Sequence, residues 1–180
     1  MRNCLKSRAG SMGLTNIFDE KHITEIREML SSRHETVAVA ESVTSGYLQA
    51  ALSQMEEAMN IFHGGMTVYN IGQKTRHLRV NPIEAQKTNC VSDAVTSQMA
   101  SEISYQFLAD WGIACTGYAS PVPELNIQDT FALYAFCNNH SIVSHGRISG
   151  SGKNPFEEQV YFTNEILRRF SELLRSSLTK

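Results

Sequence analysis

No stretch of this sequence approaches the ~18 uninterrupted apolar residues that a membrane-crossing helix requires. Its opening, MRNCLKSRAGSMGLTN, begins basic but has no apolar run behind it, so neither a membrane span nor a secretory signal is expected. There is no run of Lys or Arg either, and 16 Lys+Arg stand against 18 Asp+Glu for a formal net charge of -2. That balance speaks against a protein whose main task is neutralising nucleic-acid phosphates or docking on acidic lipid. The four cysteines, Cys4, Cys90, Cys115 and Cys137, form no CxxC pair and have no His at zinc spacing, so no metal site is expected and reduced, buried thiols are. A cytoplasmic protein follows as the expectation, with neither nucleic acid nor membrane as its partner.

Two catalytic signatures are also missing. There is no GxSxG elbow, and none of the six histidines falls in a triad pattern. Gly150-Ser151-Gly152-Lys153 is not a Walker A loop, because Arg147 and Asn154 occupy the positions where that loop needs Gly and Ser or Thr. It reads as a glycine-flexible turn into the last helix.

What is present is the material for one hydrophobic core: 180 residues, 42% hydrophobic and 19% charged. Residues 1–16 lack periodicity and are expected to form a loose tail, with one domain over 17–180. Ile23, Ile26, Met29 and Leu30 recur at helical spacing and predict a helix from Asp19 to about Arg33. Thr36 to Ala40 reads as a buried strand. A helix bearing Tyr47, Leu48, Ala51, Leu52 and Met55 is expected to start at Thr44 to Gly46. Gly64-Gly65 read first as a tight turn, before a strand over Met66 to Tyr69 and a short helix carrying Lys74 and Leu78 that Asn81-Pro82 ends.

Ser92 suits the N-cap of a helix striped by Val95, Met99, Ile103 and Phe107. Trp111 to Cys115 reads as a strand and Thr116 to Asp129 as a long loop. Thr130 to Cys137 and Ser141 to Ser149 read as a hairpin about Asn138-Asn139, and Asn154-Pro155 opens a long last helix. Helices before and after strands, with one hairpin, predict a single three-layer α/β/α domain with a mixed sheet.

Open α/β sheets build their sites just past strand ends. The segment Glu41 to Gly46 carries a strand into a helix start, where free amides at Thr44, Ser45 and Gly46 are expected to face an anion or an oxyanion beside Ser42. Ser42 and Thr44 equally suit capping, the commoner use of such residues at a helix start. A lone serine needs a base to become a nucleophile. Lys74, just beyond Tyr69 at the next strand end, can serve if burial lowers its pKa, although most lysines are solvated helix charges. A working pair requires Ser42 Oγ and Lys74 Nζ within about 2.6–3.2 Å.

Four blocks stand in order along the chain. They are Ala40-Glu41-Ser42-Val43-Thr44-Ser45-Gly46; Phe62-His63-Gly64-Gly65 leading to Tyr69 and Lys74; Val91-Ser92 ahead of a helix with Met99-Ala100; and Asp110 leading to Thr116-Gly117-Tyr118-Ala119-Ser120-Pro121. They are similar to the AESxTGG, FxGG...YxxxxK, VS...MA and TGxAGP motifs of the C-terminal domain of the competence/damage-inducible CinA proteins. That family includes nicotinamide mononucleotide amidohydrolases, and the resemblance runs from about residue 20 to the C-terminus.

The resemblance implies hydrolysis of nicotinamide mononucleotide or a related carboxamide to a carboxylate and ammonia, without metal or cofactor, by a homo-oligomer. It makes Ser42 the nucleophile, Lys74 its base, and Tyr69 and Thr116 the polar groups orienting the pair and the amide. Thr44, Ser45, Gly46, Gly64, Gly65, Gly117 and Lys153 would then contact the nucleotide-like substrate. The sequence departs from the family pattern in TGYASP, in the missing Gly-rich segment after it, and in Gly152-Lys153-Asn154 with Glu158, where members carry GDR and a further Arg. These departures also fit a second reading, a catalytically inactive relative that binds a nucleotide-like ligand or a partner protein.

Overall fold

A strand reading Val-Ala-Val-Ala puts its larger side chains on one face and its smaller ones on the other, and this alternation sets the layering. The computed structural model describes residues 17–177, so the expected tail over 1–16 lies outside the described residues. In it β1 (Val37–Glu41) is buried throughout. Val37 and Val39 join one apolar cluster, while Ala38 and Ala40 join another on the opposite face. A strand buried on both faces needs helices on both.

Strands β2 (Phe62–Thr67), β3 (Trp111–Tyr118), β4 (Phe131–Asn138) and β5 (Ser141–Ser149) complete a five-stranded sheet ordered β2-β1-β3-β4-β5. β1 is parallel to β2 and β3, and β4 and β5 are added antiparallel, so the sheet is mixed. Helices α1 (Glu20–Arg33), α2 (Tyr47–Leu52) and α6 (Pro155–Ser176) cover the valine face. Helices α3 (Ile71–Leu78), α4 (Pro82–Lys87) and α5 (Asp93–Gln106) cover the alanine face, which gives the three-layer α/β/α architecture. The small side chains there let α5 come close: a Cβ on Gly112 would lie 2.0 Å from the Ala100 carbonyl oxygen. No described helix is long and apolar enough to cross a membrane.

Four local expectations need correction. Gly64-Gly65 are not a turn but the middle of β2, paired with Ala38 and Val39. A Cβ on Gly65 would stand 2.4 Å from the Val39 carbonyl oxygen, so the glycine serves close strand packing. Asn81-Pro82 ends α3 but also starts α4, because the Asn81 side chain accepts from the Ile83 and Glu84 amides and Pro82 sits where its missing N–H costs nothing. β3 continues through Thr116 and Gly117 to Tyr118, since β4 pairs with it along that whole length. The hairpin turn is centred on Asn139-His140, both with positive φ (47° and 64°), as a two-residue turn matched to strand twist requires.

Because β1, β2 and β3 are parallel, their C-terminal ends lie at one edge of the sheet. The segments leaving Glu41, Thr67 and Tyr118 therefore gather there, and a cleft of about 610 Å³ opens between them.

Candidate active site

The floor of the cleft is made by two side chains from different elements. Ser42 is the first residue past β1, and Lys74 lies on the buried stripe of α3 with Leu78 one turn later. Asn70 caps α3 by accepting from the Gln73 amide, which starts the helix where Lys74 points inward. The lysine is 1% exposed and the serine 6%. Lys74 Nζ donates to Ser42 Oγ at 3.0 Å, inside the distance that the pair requires.

Burial lowers the Lys74 pKa from its ordinary 10.5, because an ammonium loses its hydration there. The Cys90 and Cys115 sulfurs are the groups whose charge would oppose this. Both thiols are themselves pushed up by burial, Cys115 to about 12, so near neutral pH they carry no charge with which to hold the lysine protonated. Among the residues lining the cleft there is no Asp, Glu, Arg or His, and Lys74 is the one side chain of Lys or Arg type.

The carboxylate next to the serine in sequence is directed elsewhere. Glu41, fully buried, accepts from the Leu48 amide at 3.1 Å, from the Gln49 amide at 3.1 Å, and from the Thr44 hydroxyl. It thereby closes the N-terminus of α2, whose N-cap residue Gly46 has no side chain to do so. The expectation that Ser42 and Thr44 cap this helix is corrected by that geometry. Of the amides expected to be free at 44–46, two are engaged. The Thr44 amide faces the Cys115 sulfur, and the Ser45 amide donates to the Ser42 carbonyl at 3.1 Å.

The other sequence candidates divide. Gly117 and Thr116 line the cleft, and Tyr69 stands at its edge. Tyr69 is 67% exposed and makes no hydrogen bond to Ser42 or Lys74, so its ring forms part of the cleft rim. Thr116 is buried, but its hydroxyl donates to the Cys90 carbonyl at 3.1 Å instead of to the pair. Thr44, Ser45 and Gly46 do not line the cleft; Ser45 instead accepts from Gln159, which does. Gly64 and Gly65 sit within β2, and Lys153 lines a second, smaller cavity of about 380 Å³ with Arg147 and Asp129.

Residues that the sequence did not single out complete the walls. Asn89 and Cys90, between α4 and α5, hold successive left-handed conformations (φ 49° and 64°). The Asn89 amide donates to the Tyr118 hydroxyl at 3.0 Å, so the loop is pinned to the end of β3. An Asn just past a helix suits a left-handed residue, but without α4 in view that signal has no context. The α3 N-terminus supplies further donors: the Ile71 and Gly72 amides, like that of Val43, make no hydrogen bond among the described residues, and all three residues line the cleft. No group of three His, Cys, Asp or Glu residues suited to hold a metal ion occurs among the described residues.

Comparison with known proteins gives a consistent result. The family model for the CinA C-terminal domain matches residues 19–160. A CinA-like protein of Thermosynechococcus vestitus is 38% identical over 96 residues, which are 53% of this chain and 23% of that protein. A CinA-like protein of Picosynechococcus is 40% identical over the same length and the same shares. The chain thus spans about a quarter of the length of these curated relatives. Among solved structures, the competence or damage-inducible protein of Enterobacter asburiae superposes with a TM-score of 0.80 at 22% identity, over 86% of this chain and 96% of that one, a likeness of fold.

Proposed function

This chain belongs to the CinA C-terminal domain family, and from that premise we propose that it is an amidohydrolase that converts nicotinamide mononucleotide or a related carboxamide to the carboxylate and ammonia. The observation that carries the proposal is the 3.0 Å hydrogen bond between Ser42 Oγ and a buried Lys74 whose pKa burial lowers. A scaffold for ligand binding alone has no use for a buried lysine facing a serine in a cleft otherwise without charged side chains.

In the proposed cycle Lys74 is unprotonated, and the Ser42 hydroxyl donates to the Nζ lone pair. Oγ attacks the carboxamide carbon as its proton passes to Nζ, giving a tetrahedral intermediate. The oxyanion is met by free amides at Val43 and at the α3 N-terminus, where the helix dipole adds its positive end. The Lys74 ammonium then protonates the leaving nitrogen, ammonia departs, and an ester on Ser42 remains. Water, deprotonated by Lys74, attacks the ester, and the returning proton restores the serine. Every proton is handled by one amine.

The test is ammonia release from nicotinamide mononucleotide and related carboxamides by the purified chain, compared with Ser42→Ala. Loss of turnover by about a thousandfold or more is expected. Equal rates in the two proteins eliminate Ser42 as nucleophile and favour the non-catalytic reading.

A further inference from the structure

Beside the cleft a different carboxylate occupies a cradle of backbone amides. Glu158, in the first turn of α6, is fully buried. Its Oε1 accepts from the Ser151 amide at 2.8 Å, the Lys153 amide at 2.9 Å and the Ser151 hydroxyl at 3.1 Å; its Oε2 accepts from the Ser151 amide at 3.0 Å. Burial raises the carboxyl's pKa, but the amides of Ser151, Lys153 and Gly152 outweigh that and hold it below its ordinary value, so the group stays ionised. Converging amides in a glycine turn at a helix start are the usual cradle for a phosphate or another anion. Here the chain's own carboxylate fills it.

The loop so closed runs straight into α6, whose Pro155 and Gln159 line the cleft that holds Ser42 and Lys74. We propose that this cleft selects a carboxamide carrying no phosphate, and that Glu158 is the residue that sets the preference. The inference rests on the hydrolase reading above and narrows its substrate class.

Two observations support it independently. The cleft offers no Arg or His and only one lysine, and that lysine is engaged with Ser42; with the amides of Val43 and the α3 N-terminus assigned to the oxyanion, its walls bring no free cationic side chain to a phosphate dianion. Arg147 and Lys153 line the adjoining cavity and not the cleft. Arg147 lies over the Phe131 ring at 3.6 Å, and Asp129 lines the same cavity. A phosphate arriving at this end of the cleft meets a filled cradle and a fixed negative charge.

Nicotinamide riboside and nicotinamide mononucleotide differ only in the phosphate, so the pair isolates its effect. Dissociation constants are measured by calorimetry on Ser42→Ala, which cannot turn either ligand over, and kcat/KM is measured on the unaltered protein. The phosphate-free ligand is expected to bind on the order of tenfold more tightly. Inorganic phosphate at about tenfold excess over the substrate is expected to leave the rate unchanged.

In Glu158→Gln, which keeps an acceptor for the loop amides but removes the charge, the preference is expected to shrink or reverse. Equal or tighter binding of the phosphorylated ligand by Ser42→Ala overturns the inference, as does failure of both ligands to bind. An unchanged ratio in a folded Glu158→Gln protein removes Glu158 from the account. Failure of the hydrolase reading shows separately, as absence of ammonia from ligands that bind.

Discussion

Lys74 Nζ reaches Ser42 Oγ from a helix on one side of a strand end, with no carboxylate between them and none among the residues that line their cleft. The pair is therefore governed by desolvation and by one hydrogen bond, and its pH behaviour follows from the lysine. Only the free amine accepts a proton, so kcat/KM is expected to rise tenfold per pH unit below the lowered Lys74 pKa and to level above it. Profiles between about pH 6 and about pH 10 check this. A rate that is flat across that range assigns the base to another group.

The same desolvation makes Lys74 a liability for the fold. In the unfolded chain the amine titrates near its ordinary 10.5, and in the folded protein it titrates lower. Between those two values the unfolded state binds the extra proton, so stability rises with pH there, and below the folded value the full penalty of a buried ammonium applies. Lys74→Met keeps the side-chain length without the charge. It is expected to abolish ammonia release while gaining about 1 kcal/mol, or about 2–4 °C in Tm, near neutral pH. The gain should fade as the pH approaches the alkaline side of that window. A lower Tm for Lys74→Met at neutral pH contradicts the burial penalty.

Glu41 is a structural residue next in sequence to Ser42, the proposed nucleophile. Its carboxylate satisfies two amides at the start of α2 and the Thr44 hydroxyl, all inside the protein. Glu41→Ala leaves those donors unpaired and is expected to cost about 3 kcal/mol, a Tm loss of about 6–12 °C. Glu41→Gln retains an acceptor and should lose less. Urea denaturation of the two variants provides the comparison, and an Ala variant within about 0.5 kcal/mol of the unaltered protein rules out this capping role.

The sequence shows the Ser42–Lys74 pair because parallel strands end at one edge: knowing that the two residues each follow a strand is enough to bring them near each other. It shows the starts of α5 and α6 because Ser92 and Asn154 each accept from an amide three residues away. What it hides depends on longer reach. The Glu41 carboxylate extends to Leu48 and Gln49, past residues that look like caps themselves. The Asn89-Cys90 wall is also held by Thr116 and Tyr118, far along the chain. The resemblance assigned Tyr69 by its place in a motif, but a motif does not say that its ring stands in solvent at the cleft edge.

Gly65 shows the same limit. Two adjacent glycines suggest a turn, yet this one lies in a strand because β1 and α2 leave no room for a side chain. An added Cβ would meet the Val39 carbonyl oxygen at 2.4 Å and the Gln49 side chain at 3.0 Å. Gly65→Ala is expected to push β2 from β1 and cost about 1–3 kcal/mol, read as a lower urea midpoint. An unaltered midpoint refutes the close approach.

Thr116 separates a structural from a catalytic use of one hydroxyl. Its bond to the Cys90 carbonyl secures two successive left-handed residues, each a conformation that disfavours a side chain by roughly 1–2 kcal/mol. Thr116→Val keeps the shape, removes the donor, and leaves a buried carbonyl unpaired, so it is expected to cost about 1–3 kcal/mol. The freed loop no longer holds Cys90 against Lys74. Alkylation of Cys90, now buried, should therefore quicken in Thr116→Val and return to its original rate in Thr116→Ser, with ammonia release falling in the first and recovering in the second. Were the hydroxyl to act on the substrate amide alone, turnover would fall while the thiol stayed as protected as before, so the reactivity of Cys90 decides which use is real.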